Sequence, residues 1–213
     1  MGLFERKTAP ITMSYFSIGN EKTKLVVGLG NVGKKYVGTR HNAGFLCVDH
    51  AVKLVEGEWK EKKALKSLIS EVRVGEKRVV FIKPTTLMNL SGDAVQAIKQ
   101  FYKIENRDIL VVHDELALPF GSLRIRTGGS SAGNNGIKSV SAAIGEEYAR
   151  LRIGIAGQHK DNPTAAGEEA AYVLKNFSKA EQEHFKALYA ETNALITEFI
   201  YSDLLSPDTR TFI

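Results

Sequence analysis

Of 213 residues, one is cysteine, one tryptophan and five are proline. The lone thiol, Cys47, cannot close an internal disulfide and lies in an apolar stretch of helical spacing, so a reducing compartment, the cytoplasm, is expected. Long apolar runs are also missing. Val79-Val80-Phe81-Ile82 and Ile109-Leu110-Val111-Val112 stop after four residues, far short of the roughly 18 that span a bilayer, so no membrane partner is expected. The scarcity of proline and the ordinary composition exclude collagen-like, mucin-like and low-complexity chains. The histidines are His41, His50, His113, His159 and His184, and no two have the H-x-x-x-H spacing of helical ligands; no metal is expected. The first 22 residues contain Glu5 and Glu21 and lack the continuous apolar core of a secretory signal. They are expected to be an N-terminal extension, disordered or a cloning remnant, ahead of one domain over 23–213.

What is present is an ordinary globular composition, 43% hydrophobic and 25% charged, enough to bury a sizeable core. The net charge of +5 permits an anionic partner. Lys24-Leu25-Val26-Val27 reads as a buried strand entering a glycine-rich turn, Gly28 to Gly33, and Phe45, Val48, Val52 and Val55 predict a helix over about Ala43 to Glu56. Leu68 to Val74 and Arg78 to Ile82, around Gly75, predict an antiparallel hairpin. A helix carrying Ala94, Val95 and Ile98 is expected with Ser91 as its N-cap. Ile109 to Val112 should be a strand emerging at His113-Asp114-Glu115, a natural functional edge in an open α/β sheet. Ser122 to Thr127 alternates Leu123 and Ile125 with Arg124 and Arg126, and Arg150 and Arg152 repeat that pattern opposite Leu151 and Ile153. A glycine-rich loop, Gly128 to Gly136, feeds a helix from about Ile137 to Glu146, and a capping box, Ser178 to Glu181, opens a long C-terminal helix.

Two motif matches are weak. Gly28-Leu29-Gly30-Asn31-Val32-Gly33 fits the dinucleotide fingerprint, but the following residues are polar and the helix begins only near Ala43. Gly129-Ser130-Ser131-Ala132-Gly133 fits a nucleophile elbow and would make Ser131 an esterase nucleophile, with Asp161 and His184 as partners. Its preceding strand alternates arginines with aliphatics, whereas an elbow strand is a buried apolar run. His41 stands apart in a polar loop just before a helix. Asn31, Asn89 and Asn135 each lie between a strand and a helix, and carboxamides there suit the binding of a polar chain and the stabilisation of an oxyanion.

Lys24 to Asn31, Thr39-Arg40-His41-Asn42, Lys83 to Gly92, His113-Asp114-Glu115-Leu116 and Arg150 to Ile155 together resemble bacterial-type peptidyl-tRNA hydrolase over about residues 24 to 157. The resemblance implies a single α/β globular domain with a mixed, mostly parallel twisted sheet flanked by helices. It also implies a monomer, no cofactor, and peptidyl-tRNA as partner and substrate, its peptide ester hydrolysed to recycle the tRNA. Carried over residue by residue, His41 matches the catalytic base and Asp114 the carboxylate that orients it. Asn31, Asn89 and Asn135 match substrate-holding asparagines, and Tyr36 an aromatic position near them. Arg126 and Arg152 match positions implicated in gripping tRNA phosphate, and strand geometry adds Arg124 and Arg150. Two residues depart from the family pattern. Val32 replaces a proline, which loosens the turn carrying Asn31, and Asn134 replaces a histidine beside the site. Two rivals remain at this stage: an inactive RNA-binding relative, as in chloroplast group II intron splicing factors of similar sequence, and the Ser131 esterase.

Overall fold

The computed structural model describes residues 22–157, 167–202 and 206–213. Nearly all of the N-terminal extension, His159 and Asp161 lie outside the described residues. Eight strands among these residues form one sheet: β1 (Lys24–Gly28), β2 (Lys60–Lys62), β3 (Ser67–Val74), β4 (Lys77–Pro84), β5 (Ile109–Pro119), β6 (Ser122–Thr127), β7 (Ala149–Ala156) and β8 (Asp208–Thr211). The helices are α1 (Ala43–Leu54), α2 (Ser91–Tyr102), α3 (Asn135–Ile144), α4 (Glu168–Val173), α5 (Lys179–Glu183) and α6 (Phe185–Tyr201).

The spatial order is β2-β3-β4-β1-β5-β7-β6-β8. Its centre is parallel, β1 pairing with β4 and β5, and β5 with β7. The flanks, β2/β3, β3/β4, β6/β7 and β6/β8, are antiparallel. The sheet is mixed as expected, but its parallel share is smaller than expected. Crossovers carrying α1, α2 and α3 make the parallel ladders, while tight returns such as the Gly75 turn (φ 58°) make antiparallel ones.

Side-chain parity builds two cores. Val26, Leu110, Val112, Leu123, Leu151 and Ile153 face α1 and α6, meeting Val48, Val52, Leu195 and Phe199. Leu25, Val27, Ile109 and Val111 face α2 and α3, meeting Val95, Ile98, Ile137 and Val140. The result is three layers, helices on both faces of one sheet.

Some boundaries differ from the sequence reading. β5 continues to Pro119, so His113, Asp114 and Glu115 lie within the strand, paired with β7 as far as Gly154, rather than beyond it. Ser91 is the first residue of α2, not its cap; its hydroxyl donates back to Met88 O at 2.8 Å. The Ser178–Glu181 capping box is present but opens the short α5, and the chain turns at His184 before α6 begins.

Candidate active site

His41 occupies a short 3-10 turn, Arg40–Asn42, between the exit of β1 and the start of α1. Its neighbours hold it there. Arg40 is buried, donating to Asn176 O at 2.9 Å and Glu181 Oε2 at 2.8 Å, with its guanidinium over the Tyr172 ring at 4.5 Å. The Asn42 carboxamide accepts from Asn31 N at 2.8 Å and donates to Asn31 O at 3.0 Å. That clamp holds the Asn31 turn without the proline that Val32 replaces. Gly44 lets α1 lie directly on the sheet, since a side chain there would collide with Val112 O and the Leu29 backbone. Gly30 likewise admits the Phe45 ring. The glycine-rich turn therefore serves helix packing, and two short 3-10 turns separate it from α1, unlike a dinucleotide-binding turn.

The His41 ring is mostly buried, with Nδ1 2.9 Å from Asp114 Oδ2. Burial of the ring pulls its pKa down; the Asp114 charge and hydrogen bond push it up by more, leaving it above the ordinary 6.5. Nδ1 donates to the carboxylate, so Nε2 is the nitrogen left to accept a proton. Asp114 comes from β5, and its other oxygen, Oδ1, accepts from Asn134 Nδ2 at 2.9 Å. The same Asn134 caps α3, its Oδ1 accepting from Gly136 N and Ile137 N at 3.0 and 3.1 Å. Adjacent His113 is fully buried on the opposite face of the strand. It donates from Nδ1 to Asp114 O at 2.7 Å and leaves Nε2 without a partner. Burial drives its pKa down to about 4, so it is neutral.

His41 and Asp114 open onto a cleft of about 390 Å³. Its lining includes the carboxamides of Asn31, Asn134 and Asn135 and an apolar set of Leu116, Ala170, Val173 and Leu174, from β5 and from α4 and its end. Glu115 also lines the cleft, but it accepts from Ala117 N and faces Arg152, and Glu169 is exposed on α4. Of the residues singled out in the sequence, His41, Asp114, Asn31 and Asn135 meet here. Asn89 and Tyr36 are not among the lining residues. Asn89 is exposed on the Met88–Leu90 turn, whose Met88 packs against Gly136, and Tyr36 lies under the Lys35 ammonium. Sequence reasoning missed the carboxamide of Asn134 and the clamp of Asn42, although both stood within quoted motifs. It also missed the α4 wall, a six-residue helix whose apolar positions are too few to set a period.

The four arginines form a block on one face of the sheet, Arg124 opposite Arg152 and Arg126 opposite Arg150. Their environments differ. Arg124 and Arg126 are half-buried, while Arg152 is buried 3.6 Å from Glu115. Burial first, and then the Arg126 charge, press the Arg152 pKa below the guanidinium range. Arg150 is 0% exposed, stacked on Tyr148, and donates to Gly129 O, Ser130 O and Ser141 Oγ. The expectation that Arg150 grips phosphate is corrected: with no exposed surface it braces the Gly128–Gly133 loop from below. The elbow reading of that loop also fails. β6 runs antiparallel to β7, and among the described residues no hydrogen bond joins Ser131 to a histidine; His184 packs on Phe120.

Fold and cleft together define an α/β protein with a hydrogen-bonded histidine–aspartate pair set among carboxamides. The sequence profile of the family described as Peptidyl-tRNA hydrolase matches residues 25–211. A peptidyl-tRNA hydrolase of Roseobacter denitrificans is 47% identical over 162 residues, covering 75% of this chain and 66% of that protein. One of Fusobacterium nucleatum is 40% identical over 178 residues, covering 83% and 89%. The crystal structure of peptidyl-tRNA hydrolase from Acinetobacter baumannii superposes with a TM-score of 0.78 at 30% identity, covering 84% of this chain and 89% of that one. The chain belongs to the peptidyl-tRNA hydrolase family.

Proposed function

We propose that this chain hydrolyses the ester joining a peptide to the terminal ribose of tRNA, with His41 as general base. Its main support is the 2.9 Å His41–Asp114 contact at the mouth of a cleft lined by Asn31 and Asn135. Water bound near Nε2 attacks the ester carbonyl while His41 takes its proton. Asp114 fixes the tautomer and stabilises the imidazolium. The carbon–oxygen bond to ribose then breaks, and the imidazolium returns the proton to the leaving hydroxyl. A carboxamide, Asn31 or Asn135, donates to the developing oxyanion, and the other holds the peptide backbone. Asn89 and Tyr36 are assigned to the substrate further from the reacting carbonyl.

Arg124, Arg126 and Arg152 form the phosphate-binding face in this reading. Three guanidinium groups with Glu115 as the nearby carboxylate leave a surplus of positive charge on that face. The protein acts as a monomer in the cytoplasm, a setting that suits its single thiol, Cys47, buried and pushed up to about 12. The neutral carboxamides beside the pair favour an amide at the substrate's α-nitrogen over an ammonium. N-acylated aminoacyl-tRNA should therefore be cleaved much faster than its free-amine counterpart, measured as release of tRNA; equal rates would contradict the assignment of the carboxamides.

A further inference from the structure

Asn134 makes more contacts with the catalytic pair than its sequence position suggests. Its Oδ1 is committed to Gly136 N and Ile137 N, which fixes the direction of the carboxamide and points Nδ2 at Asp114. Nδ2 then reaches Asp114 Oδ1 at 2.9 Å and Asp114 O at 3.2 Å. Each carboxylate oxygen thus has its own donor, His41 on one and Asn134 on the other. The loop behind Asn134 is held in an unusual backbone shape, with positive φ at Gly128, Gly129, Ala132 and Gly133, and Arg150 fastens its carbonyls from beneath. The carboxamide is therefore delivered by a braced loop.

We propose that Asn134 is a positioning residue for the His41–Asp114 pair: by occupying the second oxygen of Asp114 it locks the carboxylate's rotation toward His41. This inference rests on the general-base reading of His41. Among the described residues, charged or titratable neighbours of the pair include Arg40 beside His41 on its turn, His113 and Glu115 on β5, Arg152 on β7 and Glu169 in the cleft lining. Asn134 adds a donor that does not titrate, where a histidine would change charge between pH 5 and 8. The carboxylate therefore keeps one constant partner across the working pH range.

Asn134→Ser and Asn134→Asp test this, because each keeps an oxygen able to cap α3 while losing the carboxamide Nδ2 that reaches Asp114. Two measurements are made on each variant: steady-state kinetics on an N-acylated aminoacyl-tRNA, and an NMR titration of the His41 imidazole without substrate. Expected is a fall in kcat of about 10- to 100-fold, the scale of a displaced catalytic group, with KM little changed. The His41 midpoint should move to lower pH in Asn134→Ser, since a carboxylate free to turn away from His41 raises the imidazole pKa less, whereas in Asn134→Asp the added negative charge works in the opposite sense. A role limited to helix capping would leave both kcat and the His41 midpoint of Asn134→Ser unmoved. A folded Asn134→Ser variant with wild-type kcat and an unmoved His41 midpoint would overturn the proposal. Failure of the wild-type protein to cleave the substrate would instead count against the functional reading, and the imidazole titration would still decide the positioning.

Discussion

Asp114→Asn is an isosteric change whose consequences follow from the two partners of the carboxylate. Asn134 Nδ2 donates to Oδ1, so the new carboxamide must turn its oxygen toward Asn134 and its NH2 toward His41 Nδ1. An NH2 group donates to Nδ1 and forces the proton onto Nε2, the nitrogen that must accept one from water. The lost charge-assisted hydrogen bond is worth about 1.5–3 kcal/mol, or about 10- to 150-fold in rate. The wrong tautomer carries the loss toward the upper end of general-base catalysis, about 10⁴-fold. The pH dependence has its own sign. The His41 pKa lies above 6.5 only because Asp114 outweighs the effect of burial. Without the carboxylate, burial alone acts and the pKa drops below 6.5, so the acid limb of kcat/KM moves to lower pH even as the plateau falls. The assay is kcat/KM on N-acylated aminoacyl-tRNA from pH 5 to 9 for both proteins. A loss smaller than tenfold, or an acid limb at or above that of the wild type, would refute the reasoning.

Arg126→Ala should raise KM more than it lowers kcat and make the salt slope of tRNA binding shallower by about one phosphate contact. Arg150→Ala should instead lose about 3 kcal/mol of stability in urea unfolding, because the fully buried guanidinium and its charged hydrogen bonds to Gly129 O, Ser130 O and Ser141 Oγ are removed together; equal behaviour of the two variants would contradict their separate roles. His113 links stability to pH. Its folded pKa of about 4 is below the unfolded 6.5, so the unfolded chain binds protons first as the pH falls. Its contribution is fully present above 6.5 and drains away down to about 4, costing about 2 kcal/mol between pH 7 and pH 5. His113→Asn keeps a donor for Asp114 O and should reduce the pH 7-to-5 loss by that amount in urea titrations; an unchanged loss would show that His113 is not its source.

Strand parity was readable in the sequence because apolar positions alternate so regularly on β6 and β7, and it paired Arg124 with Arg126 and Arg150 with Arg152 on a face of each strand; that the two pairs lie side by side comes from the register of β6 on β7. Parity does not say what covers a face. The sealing of Arg150 beneath the Gly128–Gly133 loop comes from tertiary contacts with Gly129, Ser130 and Ser141, which no local pattern encodes. The end of β5 was hidden for a related reason: His113, Asp114 and Glu115 read as polar loop residues, yet they are buried within a strand paired on β7. His41, Asp114, Asn31 and Asn135 were legible, since each lies in a short motif at the end of a strand or beside a helix. Asn134 looked like a lost histidine. Only its two-sided bonding, to the α3 backbone and to Asp114, gives it a role. β8 escaped notice because Asp208–Thr211 has no apolar alternation; it pairs on β6 through backbone hydrogen bonds.

The central claim, that His41 is the base in hydrolysis of peptidyl-tRNA, is tested most directly by turnover of a peptidyl-tRNA by the purified wild-type protein, His41→Ala and Ser131→Ala. The wild type should cleave it, Ser131→Ala should stay near wild type, and His41→Ala should lose about 10²–10⁴-fold while still binding tRNA. A wild-type protein that binds RNA without cleaving it, or a His41→Ala variant with near-normal turnover, would contradict the account.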